Sequence, residues 1–396
     1  MKKRKKSQKS QKLYRKDQIS ASTVLIIVIF GFITGSLFGN VIFAERTNDH
    51  IVFTVVYSSE KSTWMSEASV LFSEYWEEKM VSDPSLKPIS IDMQPYGSGD
   101  MLISLLNGEI KPTIWSPASN IWVPILNSKW EQLTETNKII APNFTRIIYS
   151  PVVLATWENF QNEYNISSFH ELHDLIKNNP NLVKLAHTDP RESNSGFMAT
   201  VMMVSAFLNK DPTTISLDDL ANSDIQQWMR EIESAAIFYG KSTGFLGIYM
   251  RDQGPDSLQL TILYENLVQD YSQTAEVKFG QKLVAIYPDE GCLFSDHPFC
   301  ILDADWISEE QKVVAEEFLD FLNQKELVMK AISSGFRPIN SSLLLESDVQ
   351  TIYDASFNSD HGVTNDPDMI KELIAPTDGN VISRIPDLWL LTRNTV

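Results

Sequence analysis

From residue 51 onward the chain repeats one local pattern: a short run of β-branched and apolar residues stops at a hydroxyl-bearing turn, and a helical pattern begins at once. Ile51 to Tyr57 is fit for a buried strand and ends at Ser58-Ser59, after which Trp64, Ala68, Leu71, Phe72 and Tyr75 recur at helix spacing. Ile89 to Met93, the turn Tyr96-Gly97-Ser98-Gly99-Asp100 and a helix opening at Met101 repeat the order. Thr113 to Trp115 stops at Ser116-Pro117-Ala118-Ser119, and Val183 to Ala186 leads through Asp189 to Gly196 into an apolar helix from Phe197 to Leu208. Strands that alternate with helices imply an α/β layer with a mostly parallel sheet.

The rest of the chain extends the theme. Pro151 to Trp157, Leu260 to Tyr264 and Leu283 to Tyr287 read as strands, Ser168 to Lys177 and Ile225 to Tyr239 as helical. Ser308 with Gln311 forms a capping box that opens a helix carrying Val314, Phe318, Phe321 and Leu322 on one face. With 396 residues, 43% of them hydrophobic, the chain is long for one ordinary domain, and two lobes are expected.

The N-terminal region has a different composition. Residues 1–18 hold nine of the 33 Lys and Arg residues and only one of the 51 acids, Asp17, and read as a cytoplasmic basic tail. Residues 19–44 carry no charge and are rich in apolar side chains. Roughly 20 such residues cross a bilayer as a helix, so the expectation is a single-pass transmembrane anchor in the cell membrane, cytoplasmic N-terminus first, with lipid as its partner. A signal peptide cleaved at Ala44 is the competing reading, although its apolar core would be about 7 to 15 residues. The acidic remainder would then lie outside the cell, and its surface charge argues against nucleic acid as a partner.

Cys292 and Cys300 are the two cysteines. In an extracytoplasmic domain an even count favours a disulfide closing the short loop between them, and His297 inside that loop raises a metal site as the alternative.

In an open parallel sheet, ligands collect beyond the carboxyl ends of strands, where helix N-termini present unpaired backbone N–H groups. Ser58, Ser59, Ser98, Ser116, Ser119, Ser193 and Ser195 stand at such turns. Each hydroxyl could add a donor for an anion, or could simply cap its own helix.

Gly97-Ser98-Gly99, Trp115 to Trp122, Ser193-Asn194-Ser195-Gly196, Tyr264-Glu265-Asn266, Tyr287 to Gly291 and Gly335-Phe336-Arg337-Pro338 occur in that order. Together they resemble the extracellular solute-binding proteins of the molybdate/sulfate-like group, including members fused to von Willebrand A-type domains, over about residues 50–340. The resemblance implies a two-lobed periplasmic-binding-protein-like fold of type II with two crossovers. Lobe one would be residues 50–154 plus 290–396, and lobe two residues 155–289. It also points to a non-catalytic receptor that delivers a small solute to the permease of an ATP-binding-cassette (ABC) importer; the hydroxyl-rich turns favour an oxyanion, with sugars and metal complexes open, and no cofactor or resident metal is expected. By position, the ligand would be held by Ser59, Ser98, Ser195 and Tyr264, with Ser58, Ser119, Ser193, Asn194 and Glu265 as further candidates. Asp100 and Glu265 depart from an acid-free oxyanion pocket, and residues 341–396 fall outside the resemblance.

A surface sensor using the same fold and a hydrolase are the alternative functions. The hydrolase lacks a G-x-S-x-G elbow, and Arg191 is expected to pair with Asp189 or Glu192. Trp64, Trp115 and Trp122 could stack on a ligand or belong to the core.

Overall fold

The computed structural model describes residues 50–394. Its strands, in chain order, are β1 (Ile51–Ser58), β2 (Ile89–Tyr96), β3 (Ile114–Ser116), β4 (Ile148–Trp157), β5 (Leu185–Thr188) and β6 (Ala236–Gly240). They continue with β7 (Leu260–Tyr264), β8 (Leu283–Ile286), β9 (Cys292–Ser295), β10 (Cys300–Ile301), β11 (Arg337–Pro338) and β12 (Glu372–Leu373). One sheet runs β10-β3-β1-β2, with β1 parallel to both β2 and β3. The other runs β12-β9-β4-β7-β5-β6, with β5 parallel to β6 and β7. β4 is its axis: Ile148 and Tyr149 pair with β11, Ser150 and Pro151 with β9, and Val152 to Trp157 with β7 and β8.

Side-chain alternation explains why β1 is a strand. Phe53, Val55 and Tyr57 face one buried cluster, whereas Val56 faces another with Met101, Leu102 and Trp115. On the first face Phe318 meets the ring of Phe53 at 5.8 Å and that of Phe72 at 5.0 Å, both edge-on. Each such buried aromatic stabilises the fold by about 1.5–3 kcal/mol. Trp64 belongs to this core and donates its Nε1 to the Leu327 carbonyl at 3.0 Å. The Ser308–Gln311 capping box is formed, and helix Glu309–Leu322 follows it.

Residues 225–239 were expected to be helical throughout, but they divide. Helix Ser223–Glu233 ends at Ser234, and β6 then pairs in parallel with β5. Apolar residues at 236–238 serve either period, and the vacant sheet edge decides between them.

Two further expectations require correction. Cys292 and Cys300 are free and buried. Cys292 lies in β9, beside Glu372 of β12, and Cys300 lies in β10, beside Trp115 of β3, so the cysteines belong to different sheets. The chain between them crosses from one sheet to the other instead of closing a loop on itself. The single-pass membrane anchor and its lipid partner are likewise not supported. Among the described residues no helix is long and apolar enough to cross a membrane, and the basic tail 1–18 and the charge-free stretch 19–44 lie outside them.

The C-terminal segment touches both sheet layers. Helix Ser347–Ser356 packs on helix Lys325–Ser333, with Val349, Tyr353 and Phe357 in the cluster built on β1. β12 then pairs with β9, and helix Gly379–Thr392 packs on helices Asn194–Leu208, Leu217–Leu220 and Ser223–Glu233.

Candidate functional site

Helices Ser62–Ser82, Ser98–Leu106, Asn194–Leu208, Thr243–Gln253 and Glu265–Phe279 are among those that begin shortly after a strand ends. Each start leaves backbone N–H groups without helical partners and carries a positive dipole end. The helices starting at Ser98 and Asn194 begin three residues earlier than the apolar pattern suggests. Their first turns are therefore the serine-bearing segments themselves.

Hydroxyls and amides from both layers meet here. Ser59 Oγ donates to Ser242 Oγ at 2.8 Å and accepts the Gly244 amide at 3.0 Å. Thr243 Oγ1 donates to Ser195 Oγ at 2.8 Å and lies 3.1 Å from Ser193 Oγ, while Thr188 Oγ1 also reaches Ser195 at 2.8 Å. Asn194 Nδ2 reaches the Tyr264 hydroxyl and Ser295 Oγ, each at 2.9 Å, and Asn194 Oδ1 accepts Trp122 Nε1 at 2.9 Å. Ser98 Oγ accepts the Ala118 amide at 3.0 Å, and the Ala118 carbonyl in turn accepts the His297 amide at 3.0 Å. The His297 ring stands edge-on to Tyr264, with centroids 5.7 Å apart. Ser59, Ser195 and Tyr264 are thus joined through Ser242, Thr243 and Asn194, and Ser98 is joined through Ala118 and His297.

The backbones meet as closely as the side chains. The amides of Gly99 and Asp100 donate to the Glu192 carbonyl at 2.8 and 3.1 Å. A Cβ on Gly99 would lie 2.0 Å from the Arg191 carbonyl oxygen, and one on Gly244 would lie 2.5 Å from that of Ser59. Only glycine permits this approach.

The remaining candidates are placed as follows. Ser58 Oγ donates to Glu60 Oε1, and Ser119 Oγ accepts the Ile121 amide within its own turn at 3.4 Å. Glu265 is buried and turned to Arg337, whose Nε and Nη2 reach it at 2.8 and 2.7 Å, and the Tyr287 hydroxyl bonds the same carboxylate. Burial would push the Arg337 guanidinium down, but Glu265 outweighs it and the pKa is raised. Arg191 pairs with Asp189, as expected, at 2.5 Å. Trp115 is core, while Trp122 holds Asn194.

Several groups escaped the sequence reading. Ser242 and Thr243 form another hydroxyl turn, hidden in sequence because the apolar residues of β6 before it also fit a helix. Glu60 and Lys61 look like solvated turn charges in sequence, yet both are buried in the short 3-10 helix Ser59–Lys61. Lys61 Nζ donates to Ser116 O, Ser116 Oγ and Pro117 O at 2.9, 2.6 and 3.3 Å, and burial pulls its pKa down to about 7. Burial alone would raise the Glu60 carboxyl, but the His297 ring, Lys61 and the Ser58 hydroxyl outweigh it and hold it below its ordinary value. His297 is wholly buried, which lowers its pKa, and its backbone is left-handed at φ 41°. Among the described residues no group of three or more His, Cys, Asp or Glu could hold a metal ion.

Residues 53–337 match the family described as bacterial extracellular solute-binding protein, and the chain belongs to that family. No curated protein matches it. Among solved structures it is similar to the sulfate-binding protein SubI from Mycobacterium tuberculosis H37Rv, at 14% identity over 77% of this chain and 92% of that one, with a TM-score of 0.52. It is similar to the periplasmic binding protein AfuA from Actinobacillus pleuropneumoniae, with exogenous fructose-6-phosphate bound, at 13% identity over 88% and 100%, TM-score 0.56. A substrate-binding protein of an ABC transporter from Bradyrhizobium japonicum USDA 110 shares 13% identity over 85% and 99%, TM-score 0.56. At these identities the likeness shows the fold, which is the α/β architecture of periplasmic binding proteins.

Proposed function

We propose that this protein captures a small, oxygen-rich anionic solute between its two sheet layers and presents it to an importer of the ABC type. The observation that carries the reading is the union of the Ser59 turn with Ser242 and the Gly244 amide, where donors from separate sheets share one point. The N-termini of the helices at Ser62, Ser98, Asn194, Thr243 and Glu265 and the Lys61 ammonium supply positive potential around it, and an anion there would bridge groups of both layers. Such a ligand stabilises the closed arrangement by its differential affinity for it.

In this reading one lobe comprises residues 50–154 and 290–373, and the other residues 155–289 with helix Gly379–Thr392, the chain crossing along β4 and again between β8 and β9. Tyr264 and Asn194 contribute from the second lobe and Ser59 and Ser98 from the first. A thermal-shift panel of phosphate, sulfate, molybdate, tungstate and a hexose 6-phosphate tests the reading. A solute at 100 times its Kd adds about 2.7 kcal/mol to folding and raises the melting temperature by several degrees. If no anion of the panel moves the melting temperature, the oxyanion reading falls.

A further inference from the structure

Glu60 departs from the pattern of the site. The other groups there offer hydroxyls, amides and an ammonium, whereas a carboxylate can only accept. The known contacts of Glu60 fall on one oxygen: Ser58 Oγ bonds Oε1, and His297 Nδ1 lies 3.2 Å from the same atom, off the line of a hydrogen bond. Among the described residues Oε2 receives no hydrogen bond, and it is not sealed from solvent although Glu60 as a whole is only 3% exposed, so a solute can reach it. Lys61, the adjacent cation, directs its ammonium to Ser116 and Pro117 instead.

A second acceptor nearby is also unmet. Asn266 donates its Nδ2 to the Glu60 carbonyl at 3.3 Å, while its Oδ1 is buried without a partner. His297, between the rings of Tyr264 and Phe336, has neither ring nitrogen bonded. Leaving Asn266 Oδ1 buried and unpaired costs about 1–3 kcal/mol, a cost that water or a ligand supplying a donor would recover.

We propose that the solute carries a hydrogen-bond donor beside its anionic oxygens, a hydroxyl that Glu60 accepts, so that the site selects hydroxyl-bearing anions over fully deprotonated oxyanions. This rests on the functional reading above and narrows it. The hydroxyl can belong to the anion itself, as in monohydrogen phosphate, or to a carbon skeleton, as in a hexose 6-phosphate. Sulfate, molybdate and tungstate carry no proton at neutral pH and would set charge against charge at Glu60.

Titration calorimetry of the whole protein at pH 7.5 with monohydrogen phosphate, hexose 6-phosphate, sulfate and molybdate tests this. The wild type is expected to favour at least one hydroxyl-bearing anion over sulfate and molybdate by ~100-fold or more, because a site built to bond a hydroxyl rejects analogues lacking it. Phosphate alone binding assigns the donor to the oxyanion, and hexose phosphate alone assigns it to the sugar. In Glu60→Gln, whose amide can donate as well as accept, that preference is expected to shrink to within ~10-fold. Sulfate or molybdate binding the wild type as tightly as the hydroxyl-bearing anions overturns the inference and leaves the anion site standing. No heat from any of the four overturns both. The wild-type comparison decides even if Glu60→Gln fails to fold.

Discussion

Ser59 Oγ lies 2.8 Å from Ser242 Oγ, a contact between the turn after β1 and the turn after β6 that spans 183 positions of sequence. The Gly244 amide donates to the same Ser59 oxygen, and the space above Gly244 is filled by the Ser59 and Glu60 backbone. Gly244→Ala places a methyl group 2.5 Å from the Ser59 carbonyl oxygen. Closing the layers over it should cost about 1–3 kcal/mol, so small-angle scattering should report a larger radius of gyration than in the wild type. An unchanged radius would mean that this contact does not govern closure.

Lys61 gives the site a pH dependence. Burial brings its folded pKa down to about 7, whereas an unfolded lysine keeps its proton to about 10.4. Between those values the unfolded chain binds more protons, so this group makes stability rise with pH; below about 7 both states are charged and its contribution is flat. Urea unfolding at pH 6, 7.5 and 9 should show the wild type gaining on Lys61→Met as pH rises. Anion affinity should move the other way, falling as the ammonium loses its proton. A pH-independent gap between the two proteins would contradict the burial argument.

Glu265 and Arg337 form a fully buried ion pair, so breaking one side is the costly change. Arg337→Ala should lose about 3–5 kcal/mol in chemical denaturation. The double variant Glu265→Leu/Arg337→Met should recover part of that loss. Equal losses in both would show that shape, and not an abandoned charge, sets the cost.

Trp389 links the C-terminal helix to the Arg191 turn. Its ring is 4.9 Å from Tyr239 and 6.4 Å from His187, and the Arg191 guanidinium lies 5.5 Å from its centroid. Trp389→Ala should cost about 3–5 kcal/mol of stability. Anion affinity should fall with it, because the turn carrying Ser193 to Ser195 loses its backing. Trp389→Phe should restore most of both, as read by melting temperature and calorimetry.

The thiols of Cys292 and Cys300 are buried, and burial pushes Cys300 up to about 12 and Cys292 higher than its ordinary value too. Unfolded without reductant, the protein should take up two alkyl groups by mass spectrometry. Its native melting temperature should not respond to reductant.

Much of this architecture can be read from residue order. β1 and β7 announce themselves because a buried strand needs an unbroken apolar run, and Ser58-Ser59 and Tyr264-Glu265 mark where those runs end. The serine turns are legible for the same reason, since a hydroxyl suits a helix start whether or not it meets a ligand. What residue order hides is which turn faces which. Ser242 and Thr243 are hidden with β6, whose apolar residues fit a helix until β5 offers a partner. Glu60 and Lys61 are hidden because their burial comes from residues far along the chain: Ser116 of the neighbouring strand β3, Asn266 and His297. The supposed Cys292–Cys300 bridge failed for a related reason: eight positions apart in sequence, the cysteines enter different sheets.

Hydrogen–deuterium exchange of the protein with and without the panel anion that raises its melting temperature most tests the central claim. The account predicts that the turns at 58–61, 97–100, 193–195 and 242–244 gain protection together, because one solute bridges both layers. Protection confined to the turns of a single layer, or appearing at a distant surface, would contradict it.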